Sequence, residues 1–131
     1  MSQWTYVAAE LQLIGPEYQV GTDEFNIGKD KILRAFKGKI TGSEENADAF
    51  VERRSGYTSS DWDGTHGDHR YTLVIVGELR DRTLDETKEE LIAAYKSIAG
   101  KFSIDRSCSS GRLVGSVSAI DIVKVLEEIE G

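Results

Sequence analysis

The segment from Tyr71 to Leu79 constrains the fold more than any other part of this sequence. Apolar residues occupy both of its alternating sides, because every position from Leu73 to Val76 is apolar. A strand with two apolar faces is typical of the interior of a sheet. We therefore predict that this segment is a central strand.

The segment that follows carries the clearest helix signal in the chain. Thr83 and Glu86 stand three residues apart and form the pattern of a capping box. One stripe then recurs at helical spacing, at Leu84, Thr87, Leu91, Tyr95 and Ile98. We predict a helix that begins after Thr83 and ends at Gly100, a residue type favoured at helix C-termini.

Two further elements are predicted near the start of the chain. Polar and apolar side chains alternate over Trp4–Leu13, the period of a half-buried strand, and we expect Gly15–Pro16 to end it. A first helix is predicted over about residues 24–37, with its N-cap at residues 22–23. Its apolar positions are Ile32, Leu33, Phe36 and Ile40.

The remaining segments give weaker patterns. Residues 42–70 form a long polar excursion, of a kind that is often functional, interrupted by a short helix over Glu44–Glu52. The segments Phe102–Ser107 and Arg112–Ser118 predict a hairpin around the turn at residues 109–111. The last segment, residues 118–129, fits either a helix or an edge strand.

This order of elements indicates a single α+β domain. At 131 residues the chain has the length of one domain. An order of strand, helix, excursion, strand, helix, hairpin and final element favours a mainly antiparallel sheet with two or three helices on one face. The ferredoxin-like arrangement is the nearest common template.

Net charge limits the partners that such a domain could bind. The chain has 16 basic and 23 acidic residues, a net charge of −7. Direct binding to DNA or to an anionic membrane needs a cationic face, so we expect neither. No apolar run is long enough to cross a bilayer, no signal-peptide layout begins the chain, and the single Cys108 fits a reducing compartment. We therefore predict a cytoplasmic protein.

The densest group of chemically active side chains lies in the run Asp61–His69. Its carboxylates and imidazoles could hold a divalent cation, as in a metal-dependent hydrolase. The candidate ligands are Asp61, Asp63, His66, Asp68 and His69. The run lacks the preceding apolar strand of haloacid-dehalogenase phosphatases and the final glutamate of an EF-hand. The alternative is a polar loop whose Asp and Gly residues serve turn geometry.

No complete catalytic constellation occurs elsewhere in the sequence. Fewer residues separate Cys108 from Arg112 than the phosphate loop of cysteine phosphatases needs, so we interpret Cys108 as an ordinary hairpin residue. The turn that precedes Arg112 could still present hydroxyls and a guanidinium to an anion. The sequence contains no nucleophile elbow, P-loop or dinucleotide-binding fingerprint. We therefore predict a non-enzymatic protein without a cofactor.

A cationic stretch in the first predicted helix could meet a phosphate or an acidic partner, although a solvated helix face has the same pattern. Its basic residues are Lys29, Lys31, Arg34, Lys37 and Lys39. The excursion adds a tryptophan, histidines and an arginine that could contact the same ligand. One hypothesis is therefore a protein that binds or sequesters a nucleotide signal, through Lys31, Arg34, Trp62, His66, His69 and Arg70.

Clustered carboxylates favour a different hypothesis, in which an acidic surface binds another protein. If these clusters align in space, they would imitate the phosphates of a nucleic acid and bind the basic groove of a nucleic-acid enzyme. Solubility alone also explains acidic helix faces. The candidate partner-binding residues are Glu44, Glu45, Asp48, Glu52, Trp62, Glu86, Glu89 and Glu90.

Two stretches, WTYVAA at residues 4–9 and YTLVIVGELRD at residues 71–81, resemble segments of small accessory proteins encoded by tailed phages. The resemblance implies a protein of the infection programme, many of which disable a host factor or sequester a host signal. We predict an inhibitor of a host nucleic-acid enzyme or defence factor, located in the host cytoplasm if it is phage-encoded. The Ile- and Val-rich last segment would also allow a homo-oligomer.

Overall fold

The computed structural model describes residues 3–19, 23–54, 59–60 and 66–130, and their side chains except at 16–19, 59–60 and 66–68. Within this part of the chain, the strands are β1 (Trp4–Gln19), β2 (Asp48–Arg53), β3 (Ser59–Ser60), β4 (His66–Arg80), β5 (Ser103–Ile104), β6 (Ser110–Val114) and β7 (Ala119–Asp121). The helices are α1 (Glu24–Phe36), α2 (Leu84–Lys96) and α3 (Ile122–Glu130), with a 3₁₀ turn at Arg106–Cys108. The predicted α+β fold class is confirmed.

The two longest strands, β1 and β4, form the centre of the sheet. They run antiparallel from the pair Trp4–Arg80 to the pair Gln19–His66. The strand order is β2-β4-β1-β6-β7, with β3 on β4 and β5 on β1. The predicted central strand is therefore confirmed as part of β4.

Every described strand pair is antiparallel, as predicted. The connectivity also matches the ferredoxin-like template, which is built from two split βαβ units. β1 and β2 are joined by α1, and both pair antiparallel with β4, which lies between them. Likewise β4 and β6 are joined by α2, and both pair antiparallel with β1. β7 and α3 follow this βαββαβ core.

β1 continues through Gly15–Pro16, where we expected it to end. A register shift between Ile14 and Glu17 accommodates these residues, as a β-bulge does. Gly15 also lets an aromatic ring approach, since a Cβ at this position would lie 2.8 Å from Cε2 of Tyr71. The predicted end of the strand is wrong because the chain forms a bulge at Gly15–Pro16 and then continues to pair with β4.

The short helix predicted over Glu44–Glu52 is also wrong. Residues 48–53 form β2, which pairs with the outer edge of β4. Ala49 and Val51 are buried whereas Phe50 between them is exposed, which is the period of a strand. The polar excursion at 42–70 therefore supplies an edge strand and the first residues of β4.

The hairpin predicted around residues 109–111 does not form. β5 pairs with β1 at Leu13–Ile14, and β6 pairs with β1 at residues 6–10. The 3₁₀ turn at Arg106–Cys108 separates them along the chain. The prediction is wrong because β1 is long enough to pair with both segments in succession.

The helix predictions hold, with a change at one terminus. α1 covers the predicted range almost to its end, and the capping box of α2 is complete, with Thr83 Oγ1 accepting from the Glu86 amide at 3.1 Å. The C-cap of α2 is Ser97, so Gly100 lies in the turn beyond it. The last segment contains both alternatives, a short β7 followed by α3.

The three helices of the described chain pack on one face of the sheet. Alternate residues of β1 and β4 join helix side chains in one hydrophobic core. Its largest fully buried members include Phe36, Tyr71, Leu73, Leu91 and Tyr95. None of the helices in the described residues is both long and apolar enough to cross a membrane.

Candidate functional site

The sheet has a second face, which the three helices leave uncovered. Strand residues alternate between the two faces, so that Leu73 and Ile75 point into the core and their neighbours point away from it. We call this second surface the open face. It consists of Tyr6, Ala8 and Glu10 on β1, Val74, Val76 and Glu78 on β4, Asp48, Phe50 and Glu52 on β2, and Ser110, Arg112 and Val114 on β6.

Large apolar side chains lie at the centre of the open face. Phe50 is 55% exposed, Tyr6 45%, Val76 41% and Val114 40%. The strand register places them close together, because Val76 stands opposite Ala8, Tyr6 opposite Val114, and Phe50 opposite Val74. A contiguous exposed apolar patch on a folded domain marks an interaction surface.

Polar contacts close one end of the open face. Arg54 follows β2 and Asp105 lies beyond β1, so their ion pair, 3.1 Å between Arg54 Nη1 and Asp105 Oδ2, spans the central strands. Beneath it, the Thr72 hydroxyl donates to Gln12 Oε1 at 2.8 Å, and Gln12 is buried. The pKa of Asp105 is lowered, first by a hydrogen bond from Ser107 and then by Arg54. The side chains of Arg54, Asp105, Thr72 and Gln12 are therefore hydrogen-bonded within the chain.

Arg54 also contacts the only cysteine in the sequence. Its Nη2 atom lies 3.1 Å from Sγ of Cys108, which is exposed. Cys108 belongs to the 3₁₀ turn rather than to the hairpin that we expected. The next residue, Ser109, holds the turn beside β1, since its hydroxyl accepts a hydrogen bond from the backbone N–H of Gln12 at 2.8 Å.

At the opposite end Trp4, which stacks on Tyr6, and Arg80 complete the face. The rings of Trp4 and Tyr6 are stacked with centroids 6.4 Å apart. The guanidinium of Arg80 lies 6.0 Å from the Trp4 ring and pairs with Glu44, with 2.6 Å between Nη1 and Oε1. Aromatic and arginine side chains are the residue types that dominate protein interfaces.

A trough of about 680 Å³ runs along the β6 side of the open face. Tyr6, Ala8 and Val114 give it apolar walls, and the cross-strand neighbours Arg112 and Asp121 add charges of both signs. Arg106, which also lines it, lies 3.9 Å from Glu127. The predicted anion-binding turn thus forms part of this trough, through Ser109, Ser110, Gly111 and Arg112.

Carboxylates on β1, β2 and β4 border the apolar patch. Glu10, Asp48 and Glu78 are exposed and lie in register with Val74, Val76 and Tyr6 respectively. Glu52 stands near the end of β2 and lies 3.8 Å from the ammonium group of Lys29. The open face therefore combines apolar side chains with acidic neighbours on these three strands.

Some of the predicted acidic residues hydrogen-bond within the chain, and others lie apart from them on the surface. Glu86 completes the capping box, and both carboxylate oxygens of Glu90 accept hydrogen bonds at 2.6 Å from the amide and hydroxyl of Thr41. The Glu90 contact brings the loop with Glu44 and Glu45 beside α2. Asp48 and Glu52 lie on β2 instead, Glu89 is exposed on α2, and Trp62 lies outside the described residues.

Some of the predicted ligand-binding residues come together. Lys31 and His69 line one cavity of about 270 Å³. Arg34 lines an adjoining cavity with Lys31, but Arg70, which follows His69 on β4, belongs to the opposite side of the sheet. The predicted set therefore does not form one site. The side chains of Trp62 and His66 lie outside the described part.

The metal hypothesis falls mostly on residues that are not described. Asp61 and Asp63 lie outside the described residues, as do the side chains of His66 and Asp68. His69 is buried and contacts the Phe25 ring edge-on, with centroids 5.6 Å apart. Burial, followed by the charge of Arg53, lowers the pKa of His69. Within the described residues, no three His, Cys, Asp or Glu side chains are grouped to hold a metal ion.

The sequence patterns did not identify the open face as a site. We interpreted the apolar positions Val74 and Val76 only as evidence that this segment is a central strand. The alternation of Trp4 and Tyr6 with Val7 and Ala9 was the available signal, since it places aromatic residues on the side away from the core.

Comparison with known proteins gave no match to a protein family, to a curated protein or to a solved structure.

Proposed function

We propose that the protein binds another protein through the open face and thereby blocks that partner. One observation carries the proposal: four large apolar side chains are 40–55% exposed at the centre of a sheet face that the helices do not cover. Water contact with such a patch is unfavourable, by about 25 cal/mol for each Å² of apolar surface. A partner that covers Tyr6, Phe50, Val76 and Val114 would remove this cost.

The charges around the patch define the partner's chemistry. Glu10, Asp48 and Glu78 border it and outnumber Arg112 on the β6 side, and the whole chain carries a net charge of −7. A complementary surface has an apolar centre flanked by Lys or Arg, as in proteins that hold nucleic-acid phosphates. A nucleic-acid enzyme or defence factor of a host is the partner that fits this description, with the chain acting as an inhibitor in the cytoplasm.

The proposal needs no chemical step. Shape, apolar contact and negative potential are sufficient to occupy a basic groove and exclude its proper ligand. The polar end of the face, closed by Arg54 and Asp105, would then lie at the border of the contact.

Capture from a bacterial lysate with matched variants tests this function. The test variant combines Phe50→Thr and Val76→Thr, which remove exposed apolar groups while keeping a residue type that suits strands. The control is Val117→Thr, because Val117 is 95% exposed in the turn between β6 and β7. We expect one protein to be retained by the wild type and the control and weakened about tenfold or more with the double variant.

Two further measurements make the outcome decisive. Duplex DNA or raised salt should displace the captured protein, because its contact surface is basic. Equal retention by the double variant, or a partner insensitive to DNA, would contradict the proposal. Sedimentation of the chain alone provides another check, since a dimer broken by the double variant would assign the open face to a second copy instead.

A further inference from the structure

A groove runs along α1 on the helix side of the molecule, away from the open face. It consists of a cavity of about 430 Å³ and another of about 270 Å³, which share Lys31, Lys101 and Phe102. A third cavity of about 410 Å³ continues it between α1 and α2 and shares Arg34 and Ala35 with the first. We call these connected cavities the α1 groove.

Cationic side chains converge on the middle of the α1 groove. Lys31 and Arg34 come from adjacent turns of α1, and Lys101 comes from the connection between α2 and β5. Lys31 and Lys101 line the same two cavities, and the neighbouring Lys101 lowers the pKa of Lys31. Two like charges therefore share one position in a chain that is acidic overall.

The cations of the described chain differ in whether a carboxylate lies beside them. Several lie beside a carboxylate, as in the pairs Lys29–Glu52, Arg54–Asp105, Arg80–Glu44 and Arg106–Glu127. Lys31, Arg34 and Lys101 make no ion pair with any described residue. An anion between Lys31 and Lys101 would turn their repulsion into attraction to a shared charge. A phosphate fits this position because it carries more than one charge and several acceptor oxygens.

Apolar side chains line the α1 groove on both sides of the cations, although Glu24 also lines the smaller cavity and Glu90 the third. Ala35, Ile98 and Phe102 line the larger cavity, and Ile27 and Tyr71 line the smaller one. At Gly28 the helix carries no side chain where a Cβ would overlap the Tyr71 hydroxyl, so α1 lies close to the sheet here. Binding sites for small molecules commonly combine such apolar walls with a few convergent polar groups.

We infer that the α1 groove binds a phosphate-bearing small molecule, with the phosphate held by Lys31, Arg34 and Lys101 and the rest of the ligand against the apolar walls. Inorganic pyrophosphate and a nucleoside diphosphate share this chemistry and are its two simplest sources. The inference does not depend on the proposed function of the open face, because the two sites lie on opposite sides of the sheet.

Calorimetric titration of the full chain with pyrophosphate and with adenosine diphosphate tests the inference. We expect saturable binding of pyrophosphate at low salt, weakened about tenfold or more by Lys31→Gln and by Lys101→Gln, because each removes a charged hydrogen-bond donor. The control is Lys37→Gln, which neutralises a lysine just after α1 that does not line the groove. Tighter binding of adenosine diphosphate than of pyrophosphate would identify the organic source, and equal or weaker binding the inorganic one.

Thermal unfolding without ligand separates a lost site from a damaged fold. Lys31→Gln and Lys101→Gln each remove one of two like charges that repel each other, so both variants should unfold no earlier than the wild type when no anion is present. Pyrophosphate should then raise the melting temperature of the wild type and of Lys37→Gln but not of the groove variants. The inference is overturned by absence of pyrophosphate binding, or by binding that Lys31→Gln and Lys101→Gln leave unchanged.

Discussion

The helix-covered face and the open face of the sheet are built from alternate residues of the same strands. On β4, Leu73 and Ile75 are completely buried, whereas Val76, the next residue, is 41% exposed. On β2, Val51 is buried and Phe50 is 55% exposed. The comparison shows that an apolar residue in a strand pattern indicates a face that is more stable when buried. The pattern does not show whether the chain's own helices or a partner protein covers that face.

The largest expected difference lies between two positions of β4 on opposite faces. Leu73→Ala should lower the free energy of unfolding by about 2–5 kcal/mol, because it leaves a cavity in the core. Val76→Thr should change it by less than about 0.5 kcal/mol, because that side chain is partly in water already. Denaturant unfolding of both variants measures the contrast. A large loss at Val76 would mean that the open face is covered within the chain itself.

The central sheet could be predicted because its signals are local. The apolar run in β4 and the alternation in β1 each lie within a single segment, and so does the capping box of α2. β2 could not be predicted in this way, since the strand character of Ala49 and Val51 depends on pairing with β4, which is distant in the sequence.

The candidate sites likewise contain some residues that the sequence predicted and others that only the fold brings together. Lys31 and His69 were predicted to share a ligand and do line one cavity, whereas Arg70 fails because neighbours on a strand point to opposite faces. Lys101 was missed because only the fold brings it to α1. The open face was missed because a sequence pattern does not show that its apolar residues stay exposed.

Within the helix layer, two adjacent glutamates of α2 should behave differently. Glu90→Ala should lower the free energy of unfolding by about 1.5–3 kcal/mol, because it removes charged hydrogen bonds to the amide and hydroxyl of Thr41. Glu89→Ala should cost less than about 0.5 kcal/mol, because Glu89 is exposed. Equal effects in denaturant unfolding would show that the Thr41 contact does not hold the loop to α2.

At the polar end of the open face, a double-mutant cycle measures the ion pair that spans β4 and β1. Arg54→Met and Asp105→Asn should be coupled by about 1 kcal/mol, since both side chains are partly shielded from water. The pKa of Asp105 is lowered in the folded state, so this stabilisation is present above its ordinary value of 3.8 and is lost as the pH falls below it. Additive effects of the two substitutions would place this end of the face in open solvent, like the apolar centre.

The smallest expected effect comes from His69, which lies on the covered face at the end of the α1 groove. Burial keeps its pKa below the ordinary value of 6.5, so the unfolded chain binds a proton at a higher pH than the folded chain does. The free energy of unfolding should therefore fall as the pH drops below 6.5 and continue to fall until the folded protein is also protonated. His69→Gln should reduce this slope in denaturant titrations at pH values between the carboxyl and imidazole ranges. If the free energy of unfolding of His69→Gln depends on pH as steeply as that of the wild type, His69 is in contact with water. The covered face would then be open to water at this end, as the open face is at its centre.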